Sequence, residues 1–252
     1  MSTPRRNYSH IVERLAALPS RRWRSRCVGT VWGYPWYAVE RVVSGSAPNV
    51  LVTAGIHGEE PASVEAALRW LEGREWKRWR VNWLVLPCIN PYGWERDQRH
   101  NAQRRDLNRQ FRGHSDCPEV KVVKRLVTGR HFQLTVDLHE DVDASGYYLY
   151  ELRRTPPYIG ERIVKAVGKV IHINGDKVID GRRATGAGLI RRAADFNSLR
   201  RRRRWPMAYH LFFHCTDHIL GSETPVHCPL ERRVRAHAVA LRTALQTLTE
   251  VG

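Results

Sequence analysis

Residues 49–61 read NVLVTAGIHGEEP and join a buried strand to a turn that carries a histidine and a glutamate. The apolar run at residues 49–56 is continuous rather than alternating, which is typical of a strand covered on both faces of a sheet. Because proline fits the first helical position and disfavours α geometry in the residue before it, Glu60 is predicted to end a tight turn. His57 and Glu60 can then converge on one point, but a solvated histidine and a glutamate at a helix start would give the same pattern.

The neighbouring segments alternate between apolar strands and helical periodicity. Residues 81–89 and 132–138 are predicted as further buried strands, and residues 62–72 and 119–127 as helices. Such alternation indicates an α/β fold in which helices cover both faces of a sheet. With 252 residues, 42% of them hydrophobic, the chain is predicted to form a single domain around a mixed, mostly parallel sheet.

The remaining segments show weaker strand and helix patterns than the ones around His57. The further strands are predicted at residues 37–43, 146–152 and 210–215, and the further helices at residues 158–170 and 229–248.

Three segments lack regular periodicity. Residues 90–93, NPYG, predict a turn. Residues 94–117 are polar and too long for a routine connection, which predicts a functional loop. Residues 175–204 are rich in glycine and arginine, and their pattern predicts no particular element.

Charge and cysteine content limit the class of protein. Lysine and arginine number 42 against 25 aspartate and glutamate, giving a net charge of +17. Such an excess of positive charge would attract nucleic acid, anionic membranes or acidic substrates non-specifically. A basic surface that is simply solvated is the alternative. The five cysteines contain no CxxC pair, which indicates a reducing compartment rather than a disulfide framework or a cysteine zinc site. Without a segment resembling a signal peptide or a membrane span, we expect a cytoplasmic protein with no membrane partner.

A second histidine follows another buried strand in residues 135–141, TVDLHED. Two strand ends of one sheet share a rim, so His139 is predicted to lie near His57 and Glu60. Two imidazoles and a carboxylate suit a catalytic zinc ion, which takes three protein ligands and leaves a fourth position for water. We therefore expect one zinc ion per chain.

Two more segments supply groups that amide hydrolysis requires. Residues 104–111, RRDLNRQF, offer an arginine fork for a carboxylate and an aspartate to orient a ligand histidine, although a turn with a solvated ion pair would look the same. Residues 218–225, HILGSETP, place Glu223 after a strand, where it can move a proton from water to the leaving amine. A surface glutamate before a turn is the alternative.

The order of these four motifs resembles that of the zinc metallocarboxypeptidases of the carboxypeptidase A type. It is also similar to the related branch of aspartoacylase and succinylglutamate desuccinylase. The resemblance covers about residues 48–250. We expect a catalytic domain at residues 27–252, preceded at residues 1–26 by a basic N-terminal extension whose sequence has one short helical pattern.

The resemblance also implies roles for particular residues. The implied zinc ligands are His57, Glu60 and His139, and the implied general acid/base is Glu223. The residues implied to surround them are Asp106, which would support His57, and Asn108 with Arg109, which would bind the terminal carboxylate of the substrate.

An arginine that polarises the scissile carbonyl is expected several residues before the DLNR motif. Arg99 fits best, with Arg96, Arg104 and Arg105 as alternatives.

The resemblance further leads us to expect a tyrosine over the site. The candidates are Tyr209, Tyr147 and Tyr148. The arginine-rich residues 182–204 stand where a specificity loop is expected, so the sequence predicts no side-chain preference. Basic residues near a cleft would favour an acidic substrate.

The leading functional hypothesis is a metallocarboxypeptidase that cleaves the last amide of a peptide, such as one derived from cell wall, and recognises its free carboxylate. The alternative is an amidohydrolase that uses the same groups on an N-acyl amino acid. A third interpretation, a nucleic-acid-binding protein on a hydrolase scaffold, would explain the charge and the five arginines at residues 200–204. The presence of every expected catalytic group argues against it, so we expect no nucleic-acid partner.

Overall fold

The computed structural model describes residues 6–191 and 196–250. Its strands are β1 (Arg24–Val31), β2 (Tyr34–Arg41), β3 (Asn49–Ala54), β4 (Asn82–Leu86), β5 (Leu134–Asp141), β6 (Tyr148–Arg153), β7 (Val178–Ile179), β8 (Arg182–Arg183), β9 (Leu189–Arg191) and β10 (His218–Pro225). Its helices are α1 (Tyr8–Ala16), α2 (Pro61–Glu72), α3 (Pro91–Arg96), α4 (Pro118–Val127), α5 (Gly160–Val167), α6 (Phe196–Arg201), α7 (Met207–His214) and α8 (Leu230–Glu250). None of the described helices combines the length and apolar character that crossing a bilayer requires.

Eight of the strands form one sheet in the order β1-β2-β4-β3-β5-β10-β6-β9, and β7 pairs with β8 in a separate ribbon. The central strands β4, β3, β5 and β10 are parallel neighbours. β1, β2 and β6 run antiparallel to strands beside them, whereas β9 is parallel to β6. The predicted α/β class with a mixed, mostly parallel sheet is confirmed.

Apolar side chains from both faces of the sheet form the core. Along β3, Val50 and Val52 join the cluster under α1, α2, α5 and α8, while Leu51 joins the cluster under α4, α6 and α7. This alternation follows from the two-residue period of a strand. It explains why residues 49–56 read as a continuous apolar run, because every position of the strand is covered by a helix layer.

The predicted buried strands and central helices correspond to β3, β4, β5, α2 and α4, with ends displaced by a few residues. The strand predicted at residues 210–215 is wrong, because residues 210–214 belong to α7 and Cys215 caps it. Buried side chains occur on several sides of α7, among them Met207, Leu211 and Phe212. A short apolar run without one-sided periodicity does not distinguish a strand from a buried helix.

The turn predicted at residues 90–93 is instead the beginning of α3. The side chain of Asn90 accepts a hydrogen bond from the Gly93 amide at 2.9 Å, and Pro91 occupies the first helical position. After α3 the chain is irregular except for a short 3-10 helix, Leu107–Arg109. The predicted functional loop is therefore an irregular segment held between helices.

Two outer regions differ from the simple sequence pattern. β1 was not predicted, since it is a half-exposed edge strand whose side chains show little apolar alternation. The predicted boundary between residues 26 and 27 falls inside β1, and Tyr8 and Ile11 of α1 are buried in the main core. Residues 175–204 contain β7, β8, β9 and α6, with residues 192–195 outside the described part of the chain.

Candidate active site

The carboxyl ends of β3, β5 and β10 meet at one edge of the sheet. β5 and β10 are parallel, and their register sets His139 beside Glu223. His57 lies in the turn between β3 and α2, and Glu60 directly precedes Pro61, the first residue of α2. Open α/β sheets bind their ligands at such an edge. The topology thus brings together residues from three distant parts of the chain.

A close backbone approach fixes the turn that carries His57 and Glu60. A Cβ atom on Gly58 would lie only 2.0 Å from the carbonyl carbon of Gly93 in α3. A side chain at this position would push the turn away from α3, so a glycine is required. The sequence HGEE therefore has a packing role as well as a chemical one.

The predicted trio of ligands forms a compact buried group. His57 Nδ1 lies 2.6 Å from Glu60 Oε1, and His139 Nδ1 lies 3.0 Å from Glu60 Oε2. Ligand atoms of the three residues all lie within 4.8 Å of one another. All three side chains are buried, with exposed fractions of 5% or less. The two imidazoles consequently face opposite oxygens of one carboxylate.

Each of these histidines contacts an aspartate through its other ring nitrogen. His57 Nε2 lies 3.1 Å from Asp106 Oδ1, and His139 Nε2 lies 2.9 Å from Asp137 Oδ2. An aspartate at Nε2 keeps the proton there and leaves the lone pair on Nδ1 for a metal. The predicted pairing of Asp106 with His57 is present. Asp137 was not predicted, although its position two residues before His139 places both side chains on one face of β5.

Burial and charge oppose each other in this cluster. Burial alone would lower the pKa of both histidines, but the carboxylates around them more than offset it and raise the pKa of His57 and of His139. Burial alone would raise the pKa of Glu60, but the two imidazoles reverse this effect and lower it. Glu60 is therefore an ionised carboxylate in a dry environment, where a positive partner stabilises it.

Glu223 differs from Glu60 although it lies on the neighbouring strand end. Burial raises its pKa, and the nearby carboxylates of Glu60, Asp141 and Asp137 raise it further, against the opposing charge of His139. The side chain lines the same cleft as the histidines. A carboxyl group whose pKa is shifted toward neutrality can both accept and donate a proton near pH 7.

Arg99 is the predicted arginine that reaches the cleft; its rivals Arg96, Arg104 and Arg105 are absent from the described lining. Its Nε donates to Asp106 Oδ2 at 3.2 Å, and one Nη lies 3.5 Å from Glu59 Oε1. Burial tends to lower the pKa of Arg99, but Asp106 and Glu60 outweigh burial and raise it. Its guanidinium is therefore held as a cation beside the histidine pair.

The loop after Arg99 presents Asn108 and Arg109 to the cleft. The backbone amide of Met207 donates to Asn108 Oδ1 at 2.8 Å, which leaves the Asn108 amide hydrogens free to act as donors. The Arg109 guanidinium donates to the backbone oxygen of Asn108 at 2.9 Å, and no carboxylate forms an ion pair with it among the described residues. Both side chains thus retain donors for a ligand.

Two of the three candidate tyrosines line the cleft. Tyr148 donates to Asp141 Oδ2 at 2.8 Å, and Tyr209 lines the cleft from α7. Tyr147 is fully buried, and its hydroxyl lies 3.1 Å from Ser222 Oγ. Tyr150, which was not predicted as a candidate, also lines the cleft. The sequence signal was the alternation in GYYLY, which turns Tyr148 and Tyr150 to the same face of β6.

Arg6 is a residue of the site that sequence reasoning did not identify. One of its Nη atoms donates to the Gly58 backbone oxygen at 2.7 Å, and the other lies 2.7 Å from Asp97 Oδ1. Its guanidinium also lies 4.8 Å from the centre of the Trp94 ring. Arg6 therefore joins the turn of the histidine and glutamate ligands to α3.

A second unpredicted pair supports the start of α2. Glu140 follows the His139 ligand in the chain and accepts hydrogen bonds from the Ala62 amide and from Arg233. Arg233 also donates to the backbone oxygen of Cys228 at 2.8 Å. Because Ala62 lies in the first turn of α2, these contacts restrain the position of Glu60 as well.

The donor set fits a catalytic zinc site. Two imidazoles, which can give up the proton on Nδ1 to a metal, and one ionised carboxylate provide three ligands, and they open onto a cleft of about 950 Å³ that can admit water and substrate. Aspartates orient both imidazoles, as is usual around protein-bound metals. The fold and the site together define a metal-dependent hydrolase.

Residues 46–171, half of the chain, match the model of the succinylglutamate desuccinylase/aspartoacylase catalytic domain, and the chain belongs to this family. A protein of Shewanella amazonensis, provisionally assigned as a metallopeptidase, is 25% identical with a TM-score of 0.79 over 96% of this chain and 91% of its own. No curated protein matches the chain.

More distant structures share the fold. A metallo-carboxypeptidase from Burkholderia cenocepacia is 17% identical, with a TM-score of 0.67 over 97% of this chain and 69% of its own. Carboxypeptidase A from Helicoverpa armigera is 15% identical, with a TM-score of 0.68 over 97% of this chain and 74% of its own. The family match confirms the resemblance to the acylase branch that was noted from the four motifs, and the fold is the one that the two carboxypeptidases share.

Proposed function

We propose that the protein is a zinc metallocarboxypeptidase that removes the C-terminal amino acid of a peptide. The observation that carries this proposal is the position of Asn108 and Arg109 in the wall of the cleft that the buried His57, Glu60 and His139 face. A guanidinium and an amide with free donors can hold a carboxylate at two points. A peptide held by its terminal carboxylate would have its last amide nearby.

In this proposal His57 and His139 bind the metal through Nδ1, and Glu60 binds it through its carboxylate. Asp106 and Asp137 hold the imidazoles in the tautomer that this binding requires. When bound there, zinc supplies a Lewis acid for the carbonyl and lowers the pKa of water to about 7.

Glu223 would carry the proton. Its pKa, raised by burial and by neighbouring carboxylates, suits a group that first accepts a proton from the attacking water and then donates it to the leaving nitrogen. Arg99 would face the oxygen of the scissile carbonyl, where negative charge develops during attack. Its bond to Asp106 connects this role to the orientation of His57.

The second candidate function is hydrolysis of an N-acyl amino acid, and the family match favours it. In that case Asn108 and Arg109 would bind the carboxylate of the acylated amino acid, with the same proton transfer by Glu223. The five cysteines are free, which supports the proposed cytoplasmic location for either substrate.

Incubation with a mixed peptide library, followed by mass spectrometry, tests the proposal. A carboxypeptidase shortens peptides by one residue from the C-terminus, and amidation of that terminus abolishes cleavage. Release of only acetate or succinate from acyl amino acids would replace the leading function with the second. Salt-sensitive DNA binding without any amide hydrolysis would contradict both and support a nucleic-acid-binding role.

The library measurement should be repeated on two matched variants. Glu223→Gln should lose hydrolysis while retaining zinc, because this residue is not a proposed ligand. His139→Ala should lose both. Full zinc occupancy in His139→Ala would contradict the proposed ligand set.

A further inference from the structure

Four buried polar side chains lie behind β10, on the side of the strand that faces away from the cleft. They are Tyr147, Ser222, Thr224 and His237, and each has an exposed fraction of 0%. None of them has a part in the hydrolysis proposed above. Because a polar group removed from water needs hydrogen-bond partners, the contacts among these side chains indicate what the group does.

The pleat of β10 places Glu223 and its two neighbours on opposite faces of the sheet. Successive side chains of a strand alternate between the faces. Gly221 and Glu223 line the cleft, whereas Leu220 belongs to the core cluster under α8. Ser222 and Thr224 are in phase with Leu220, so their side chains point toward α8 while that of Glu223 points into the cleft.

His237 of α8 contacts β10 on both sides of Glu223. Its Nδ1 lies 3.0 Å from Ser222 Oγ, and its Nε2 lies 3.2 Å from Thr224 Oγ1. A hydroxyl group can donate or accept, so both contacts are hydrogen bonds whichever ring nitrogen carries the proton. One rigid ring therefore holds the two residues that flank Glu223.

Tyr147 extends this network to the segment before β6. Its hydroxyl lies 3.1 Å from Ser222 Oγ. The Tyr147 amide donates to the backbone oxygen of His172 at 2.8 Å, and the Tyr147 backbone oxygen accepts from the Asn174 amide at 2.9 Å. The tyrosine is thus fixed by its own main chain, and Ser222 is held from two directions.

The carboxyl group of Glu223 depends on its backbone for its position. Within residues 6–191 and 196–250 no side chain or amide forms a hydrogen bond with it, and the neighbouring side chains of His139, Glu60, Asp141 and Asp137 act on it through their charge. Pairing with β5 and β6 holds β10 within the plane of the sheet, because ladder hydrogen bonds lie in that plane. Displacement across the plane, which would move Glu223 into or out of the cleft, is resisted from the α8 side.

We propose that His237 is a positioning residue that holds Glu223 at a fixed depth in the cleft through its hydrogen bonds to Ser222 and Thr224. The proposal rests on the proposed function, in which Glu223 carries the proton from water to the leaving nitrogen. Proton transfer requires the two heavy atoms to be within hydrogen-bond reach, so a small displacement of Glu223 lowers the rate. Substrate affinity should change little, because Asn108 and Arg109 lie on a different segment.

Thr224→Val and Thr135→Val form a matched pair that tests the proposal. Each replaces a fully buried threonine by a side chain of the same shape, and each removes a hydroxyl contact, that of Thr224 with His237 or that of Thr135 with Thr216 Oγ1 at 3.0 Å. In Thr224→Val we expect kcat to fall by about tenfold or more, with KM within about twofold of the wild-type value. Thr135 lies toward the other end of the β5–β10 pair, beside Ile219, so Thr135→Val should keep kcat within about twofold.

Two variants of His237 separate positioning from general damage to the core. His237→Leu removes both hydrogen bonds and should lower kcat by about tenfold to 100-fold. His237→Gln retains one donor and one acceptor on its amide and should recover part of this loss. Rates are compared at a temperature at which thermal unfolding shows every variant to be folded, and the threonine pair provides the test if His237→Leu does not fold.

Zinc affinity must be measured in each variant, because the ring of His237 also bonds to the backbone of His139. We expect it to change by less than about threefold, since Asp137 orients the His139 side chain independently. A loss of zinc that accounts for the fall in kcat would overturn the proposal.

Crystal structures of the zinc-loaded wild type, Thr224→Val and Thr135→Val separate this proposal from the proposed function. A shift of the Glu223 carboxyl group relative to His139 by about 0.5 Å or more in Thr224→Val alone supports positioning even if no peptide is cleaved. Peptide cleavage with the same kcat in wild type, Thr224→Val and His237→Leu retains the proposed function and overturns positioning. An equal fall in kcat in Thr224→Val and Thr135→Val, or an unmoved Glu223 in Thr224→Val, also overturns it.

Discussion

Asp137 offers a sharp test of the metal centre, because the recorded hydrogen bonds of its side chain within the described chain are those with His139 and Thr53. Thr53 Oγ1 donates to Asp137 Oδ1 at 2.7 Å, and the other carboxylate oxygen faces His139 Nε2 at 2.9 Å. In Asp137→Asn, the amide oxygen keeps the bond from Thr53 and the amide nitrogen turns toward His139. An amide N–H facing Nε2 favours the tautomer with its proton on Nδ1, and this tautomer cannot bind a metal through Nδ1.

The expected loss follows from the role of such outer contacts. Loss of a partner that orients a ligand typically reduces metal affinity by about 10-fold to 100-fold. This factor corresponds to about 1.4 to 2.8 kcal/mol of binding free energy. Competition with a chromogenic zinc chelator measures the dissociation constant directly.

Asp143→Asn is the matched control, because Asp143 lines the same cleft but is exposed and contacts no proposed ligand. The control removes the same charge and should change zinc affinity by less than about twofold, since exposed charges are strongly screened. If Asp137→Asn binds zinc as tightly as the control does, the tautomer argument is refuted. An equal loss in both variants would instead attribute the effect to charge alone.

Three further predictions concern the surroundings of the centre. Gly58→Ala should weaken zinc binding more than Gly45→Ala, whose Cβ would meet open space, and zinc titration of both variants checks this. Arg6→Ala should weaken zinc binding, because the Gly58 carbonyl and Asp97 lose the donor that they share. Arg6→Lys should keep part of the zinc affinity. An unchanged affinity in Arg6→Ala would contradict the role of the N-terminal segment. Burial lowers the pKa of His237 to about 3, and the charge of His139 contributes to this shift. The folded protein therefore keeps this histidine neutral, whereas the unfolded chain protonates it below about pH 6.5. Stability should therefore fall as pH drops from 6.5 toward 3, by up to about 2 kcal/mol at pH 5 from this group, and urea unfolding should show a smaller pH dependence in His237→Gln.

Local sequence patterns were sufficient for the centre of the fold. The apolar run before His57 and the proline after Glu60 determine a strand, a turn and a helix start, each from a few neighbouring residues. Parallel pairing of β3 and β5 then brings His139 to the same edge. The predicted ligand trio needed no long-range information beyond the assumption that both strands belong to one sheet.

Prediction failed where the local pattern was ambiguous. α7 has apolar residues on several sides, so its sequence fits a buried strand as well as a buried helix. The NPYG segment contains the signals of a turn, but the same asparagine and proline also begin a helix. For α7 the burial of several of its sides decides for a helix, and for α3 the cap that Asn90 forms with the Gly93 amide does so.

The functional roles of the arginines could not be read from the sequence for a related reason. Arg69 pairs with Glu231 across 162 residues of chain, and Arg242 pairs with Glu75 across 167. Whether an arginine is structural or free to bind a ligand depends on such distant partners, and a run of arginines looks the same in either case. The fold distinguishes neighbours that the sequence treats as equal, since Arg202 and Arg204 face the cleft while Arg203 does not. A count of charges along the sequence therefore does not separate the arginines that hold the fold together from those that line the cleft.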